Sequence, residues 1–177
     1  MFDSPKQLAK HLRRSIFPQK SSIILSTPRW RIFWSVLLPP SSYTVWFRAI
    51  HRKLPTKKLL HFLLLNLHDS SRCIHCLTQE HFLVLCPKKQ DIWVNTLNFF
   101  SPNNSFPPQQ IINTILQLHC PLWLTRSPTA PSISVGSILF GIWKAHWQTI
   151  FDETPFVSSV IVKSCKTLIW QPHHQNT

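Results

Sequence analysis

Fifteen prolines against only two glycines constrain this 177-residue chain more than any other feature. Each proline removes a backbone donor and fixes φ at about −65°, so a helix cannot run through it undisturbed. Long stretches are therefore expected as punctuated loop, with islands of helix between them rather than one continuous bundle. The length suits one ordinary domain or a small domain with additions, since domains run from about 50 to 250 residues.

Apolar spacing locates the islands. Ser41 or Ser42 caps a helix to about His51 in which Val45, Trp46, Ala49 and Ile50 share one face while Arg48 and Arg52 stay wet. Pro55 and Thr56 open a second helix to about Leu67, carried by Leu59, Leu60, Leu63, Leu64 and Leu67. A cysteine-rich loop over His68 to Gln79 comes next, then a short helix from Glu80 to about Leu85 and, past Pro87, a helix to about Phe99. Residues 109–118 suggest one short helix. The spacing of Ile138, Leu139, Ile142, Trp143, His146, Trp147 and Ile150 predicts another, ended by Pro155, and a last helix covers Phe156 to Trp170. Trp46 and Trp93 fall on otherwise apolar faces and are expected in the core.

The fold class read from this pattern is mainly α. It divides into a basic, poorly ordered lead (1–27) with one short helix around Gln7 to Ser15, a small helical module (28–100), a Pro-rich linker with one short helix (101–134), C-terminal helices (135–170) and a disordered tail (171–177). No apolar run approaches the roughly 20 residues needed to cross a bilayer, and the N-terminus lacks a secretory apolar core. A soluble, intracellular, reducing setting is expected, the nucleus included.

Nineteen Lys and Arg oppose six Asp and Glu, a formal +13, and the excess is lopsided: residues 1–90 hold fifteen basic and three acidic side chains. Such a surface attracts polyanions, because Lys and Arg displace the counterions condensed on phosphate backbones.

Inside that basic half lies Cys73-x2-Cys76-x4-His81-x4-Cys86. Three sulfurs and an imidazole form one of the recurring tetrahedral zinc sets, and a closed structural Zn²⁺ site is expected. On an uninterrupted helix His81 and Cys86 would point about 140° apart. Pro87 removes the obstacle, since a residue before proline is pushed out of the α region and Cys86 can turn to the metal. The net −1 of three thiolates around Zn²⁺ is softened by Arg72, Lys88 and Lys89. His68 and His75 compete for the fourth position. Cys120 and Cys165 read as ordinary thiols, and His119, His146 and the pair His173–His174 as surface histidines.

The ligand spacing equals that of the retroviral zinc knuckle, but the residues around it point elsewhere. Trp46-Phe47-Arg48, Lys53-Leu54-Pro55-Thr56, the two cysteines, Glu80-His81-Phe82-Leu83, Cys86-Pro87 and Ile92-Trp93 together resemble the zinc-binding domain found downstream of reverse transcriptases in non-LTR retrotransposons. The likeness covers residues 29–100, and Ile142-Trp143-Lys144-Ala145-His146-Trp147 resembles the helical segment that often follows. It implies ligation by Cys73, Cys76, His81 and Cys86 and a retroelement protein remnant.

No enzyme is expected. Polymerase or nuclease chemistry would need clustered carboxylates around divalent metal, and the whole inventory is Asp3, Asp69, Glu80, Asp91, Asp152 and Glu153. The leading expectation is a non-catalytic module offering Arg48, Arg52, Lys53, Lys57, Lys58, Arg72, Lys88 and Lys89 to RNA or DNA without sequence preference. The alternative is a structural or interaction fragment whose exposed Trp-rich helices from Ile138 onward dock on a polymerase or another protein.

Overall fold

The computed structural model of the chain describes residues 25–51, 53–56, 61, 72–75, 83–102, 104–119 and 131–170. Among them the protein is mainly helical, as expected, with six helices and no strand: α1 (Thr27–Ser35), α2 (Pro40–Ile50), α3 (Pro87–Phe100), α4 (Pro108–Gln117), α5 (Pro131–Phe151) and α6 (Ser158–Trp170). The expected helices over 7–15 and most of 55–67, and the tail from Gln171, lie outside the described residues.

Proline starts helices here more than it interrupts them. Pro28 sits in the first turn of α1, and Pro40, Pro87, Pro108 and Pro131 are the first residues of α2, α3, α4 and α5. A first-turn N–H has no intrahelical acceptor, so its loss is harmless, and the fixed φ is already helical. The expected Pro-rich linker with one short helix (101–134) holds α4 and the first residues of α5, and α1 stands where the sequence pattern singled out no helix.

The helix α2 buries Val45, Trp46, Ala49 and Ile50, the face its spacing predicted. The Trp46 indole Nε1 donates to the Ile115 carbonyl at 2.9 Å. That carbonyl lies in the last turn of α4, where backbone oxygens lack intrahelical donors. Arg29 donates from Nη1 to Gln117 O at 3.1 Å beside it. One end of α4 is thus closed by side chains from α1 and α2, after which Leu118 turns the chain at φ 54°.

The central element is α5, which packs on α2, α3 and α6, while α3 also lies on α6 and α2 on α4. Both glycines of the chain stand on α5 at these crossings. A Cβ at Gly136 would lie 2.7 Å from Leu38 Cδ1 and 3.0 Å from Trp46 Cε3, and one at Gly141 would lie 2.5 Å from Cys165 Sγ. Close helix approach, not turn geometry, is what these glycines serve.

Among the described residues one apolar cluster includes members from Leu25 to Ile169, Phe106 of the 101–107 loop among them. Among the described residues that loop belongs to the shared cluster, and α2 packs on α5 while α3 packs on α5 and α6. On the C-terminal helices Ile138, Leu139 and Ile142 are fully buried, whereas Phe151, Val160 and Trp170 are exposed. Among the described residues no helix is long and apolar enough to cross a membrane.

Candidate metal centre

The start of α3 and the turn at residues 72–75 build the candidate site. Cys86 precedes Pro87 and has the extended backbone predicted for it, φ −68° and ψ 127°, as the N-cap of α3. Its carbonyl accepts from the amides of Lys89 at 2.9 Å and Gln90 at 2.8 Å, closing the first turn. Residues 83–85 form a turn rather than the last part of the short helix expected there. The Trp93 indole Nε1 donates to Leu83 O at 3.0 Å and engages that carbonyl in a tertiary bond.

The geometry brings Cys73 and Cys86 together. Their sulfurs are 4.0 Å apart, Cys86 fully buried and Cys73 partly so. Two thiolates on one tetrahedral zinc, each at about 2.3 Å, stand about 3.8 Å from each other. The spacing is far beyond the roughly 2.05 Å of a disulfide. Cys76 and His81 lie outside the described residues, and among the described residues no three His, Cys, Asp or Glu side chains converge on a common point.

The same turn is anchored from the other side. The ring of His75 lies 4.1 Å from that of Phe156, in the segment joining α5 to α6, and 5.9 Å from that of His146 on α5. Ser158 Oγ, at the start of α6, donates to Lys88 O at 3.5 Å. The cysteine turn and the head of α3 therefore rest on the α5–α6 hairpin.

Two positions differ from expectation. Lys89 is 0% exposed, with Nζ 3.3 Å from His146 Nδ1, so it cannot present its ammonium at the surface. His146, read as a surface histidine, is 1% exposed. Both were legible in the spacing: Lys89 precedes Ile92, Trp93, Thr96 and Leu97 on the buried face of α3, and His146 follows Ile138, Leu139 and Ile142 on that of α5. Polarity outweighed position in reading them. The other described basic candidates, Arg48, Lys53, Arg72 and Lys88, are exposed, whereas Arg52, Lys57 and Lys58 lie outside the described residues.

No known protein family, curated protein or solved structure matches the chain. The chemistry of the site is thus argued from its own atoms. Cys165, by contrast, belongs to the core: burial against α5 pushes its thiol up to about 12, away from metal-binding reactivity.

Proposed function

We propose that this protein is a non-catalytic, zinc-binding, nucleic-acid-associated module, a remnant or fragment of a retrotransposon reverse transcriptase protein. The observation that carries the reading is the 4.0 Å approach of the Cys73 and Cys86 sulfurs from elements thirteen residues apart. Two of the four side chains in the Cys-x2-Cys-x4-His-x4-Cys set thereby meet at a separation that suits a shared tetrahedral ion. Cys76 and His81 would complete the set. Zinc, when bound, supplies a crosslink between the cysteine turn and the head of α3, with no open position for a substrate.

The residues around that crosslink do the rest. Pro87 holds Cys86 extended, Trp93 fixes the carbonyl of Leu83, and His75 braces the turn on Phe156. The exposed Arg48, Lys53, Arg72 and Lys88 offer positive charge to a phosphate backbone. The docking alternative rests on the C-terminal helices, where Ile138, Leu139 and Ile142 lie in the interior and Phe151, Val160 and Trp170 are exposed.

Metal analysis of the full chain tests the reading. One zinc per chain is expected, lost in Cys73→Ser and in Cys86→Ser, together with binding of a 20-nucleotide RNA that weakens steeply as salt rises. A chain that takes up no zinc, or keeps it after both substitutions, overturns the proposal.

A further inference from the structure

Two columns of aromatic rings face each other across α1 and α2. On α1, Trp30 and Trp34 are four residues apart, and so are Tyr43 and Phe47 on α2 and its C-cap His51. The columns pair antiparallel: Trp34 lies 5.8 Å from Tyr43 with 27° between the planes, and Trp30 lies 5.7 Å from His51 with 15°. Trp30 and Trp34 are themselves near parallel at 20°, and Trp34 stands 6.1 Å from Phe47.

The inner edge of this ladder is core. Phe33 makes edge contacts with Trp30, Tyr43 and Trp46. The outer edge is not, for Trp34 is 57% and Phe47 38% exposed, and His51 is exposed as well. Folding by itself gives no reason to leave the largest apolar side chains in water when a buried face is available two residues away. Partial desolvation, with the charge of Lys53 second, lowers the pKa of His51 from its usual value.

The stretch of sequence that carries the ladder has charge of one sign. Between Ser4 and His68 the chain has twelve Lys and Arg and no Asp or Glu. Arg31 and Arg48 follow Trp30 and Phe47 directly and are exposed, as is Lys53 beyond His51. Exposed aromatic rings in a segment whose only charges are cations complement a polymer that alternates flat bases with phosphates, provided its bases are unpaired and can leave their own stack.

We propose that the outer row Trp34, Phe47 and His51 is a stacking platform for the bases of a single-stranded nucleic acid, with Arg31, Arg48 and Lys53 taking its phosphates. The proposal rests on the nucleic-acid reading above and names the strand state and the residues. A duplex keeps its base faces covered and meets only the cations, so the platform separates single from double strands and is indifferent to sequence.

The test compares a 20-nucleotide oligouridylate with a 20-base-pair RNA duplex on the full chain at fixed salt. Trp34→Ala is expected to weaken the single strand roughly 5- to 100-fold, with duplex affinity held within about twofold, and Phe47→Ala to act likewise. Trp34→Phe, which keeps a ring, restores most of the loss. Arg31→Gln with Arg48→Gln weakens both ligands together. Circular dichroism confirms that each variant keeps its helices. Equal loss for both ligands in Trp34→Ala, or unchanged single-strand affinity, overturns the platform while leaving the nucleic-acid reading in place. A wild-type chain that binds neither ligand overturns both.

Discussion

Replacing Gly141 with alanine places a methyl group 2.5 Å from Cys165 Sγ, well inside any van der Waals contact. Two terms compete. A mid-helix Gly→Ala exchange favours folding by about 0.5–1 kcal/mol. Forcing an extra methyl into a packed crossing costs about 1–3 kcal/mol. Cys165 is fully buried and cannot swing into solvent, so the strain should prevail and leave Gly141→Ala about 1 kcal/mol less stable.

The partner substitution makes this decisive. Cys165→Ala alone loses a buried sulfur and costs on the order of 1 kcal/mol. In the double variant the two methyls share the space of one thiol, the strain disappears and stability returns to near the wild type, a coupling of roughly 2 kcal/mol. Urea unfolding followed by circular dichroism reads these differences, which correspond to about 2–4 °C in Tm per kcal/mol for a chain of this size. A Gly141→Ala protein as stable as the wild type, or a double variant that simply sums the two losses, would refute the reasoning.

Other consequences are open to measurement. Because the Cys165 thiol is held up at about 12 by burial, its contribution to stability is complete below its unfolded value near 9 and is lost as pH rises toward 12; Cys165→Ala should flatten that alkaline loss in urea titrations at successive pH values. Trp46→Phe removes the donor to Ile115 O and should cost about 1–3 kcal/mol, and a Tm unchanged from wild type would count against the bond. Glu153 adopts φ 52°, and Glu153→Gly should recover about 1 kcal/mol of left-handed strain, read as a higher urea midpoint. Lys89→Gln should lower thermal stability while Lys88→Gln weakens RNA binding without changing Tm; the reverse pattern would show the assignment of the buried and exposed lysines to be wrong.

How much of this was legible depended on which force dominated locally. The buried face of α2 and the extended Cys86 followed from apolar periodicity and from proline sterics, both local effects. The helix α1 escaped notice because Trp30, Ile32, Phe33 and Trp34 are apolar on all sides, leaving no stripe to recognise. Prolines at 107, 108 and 131 carried an ambiguous message, since a residue that cannot continue a helix is also well suited to a first helical turn. Lys89 and His146 stand in register with the buried faces of α3 and α5, a position in the spacing that their polarity masked. At the candidate site the Cys73–Cys86 approach matches the motif, whereas Cys76 and His81 lie outside the described residues.

The two glycines of α5 also act as a lock on alignment. They are five residues apart and notch different neighbours, one receiving Leu38 and Trp46, the other Cys165. Sliding the helix by one residue would turn both notches through about 100° and drive a side chain into each crossing at once. Rival arrangements in which the apolar helices merely slip past one another are thereby closed off, so a chain with abundant grease and few charges in its C-terminal half still has one way to assemble.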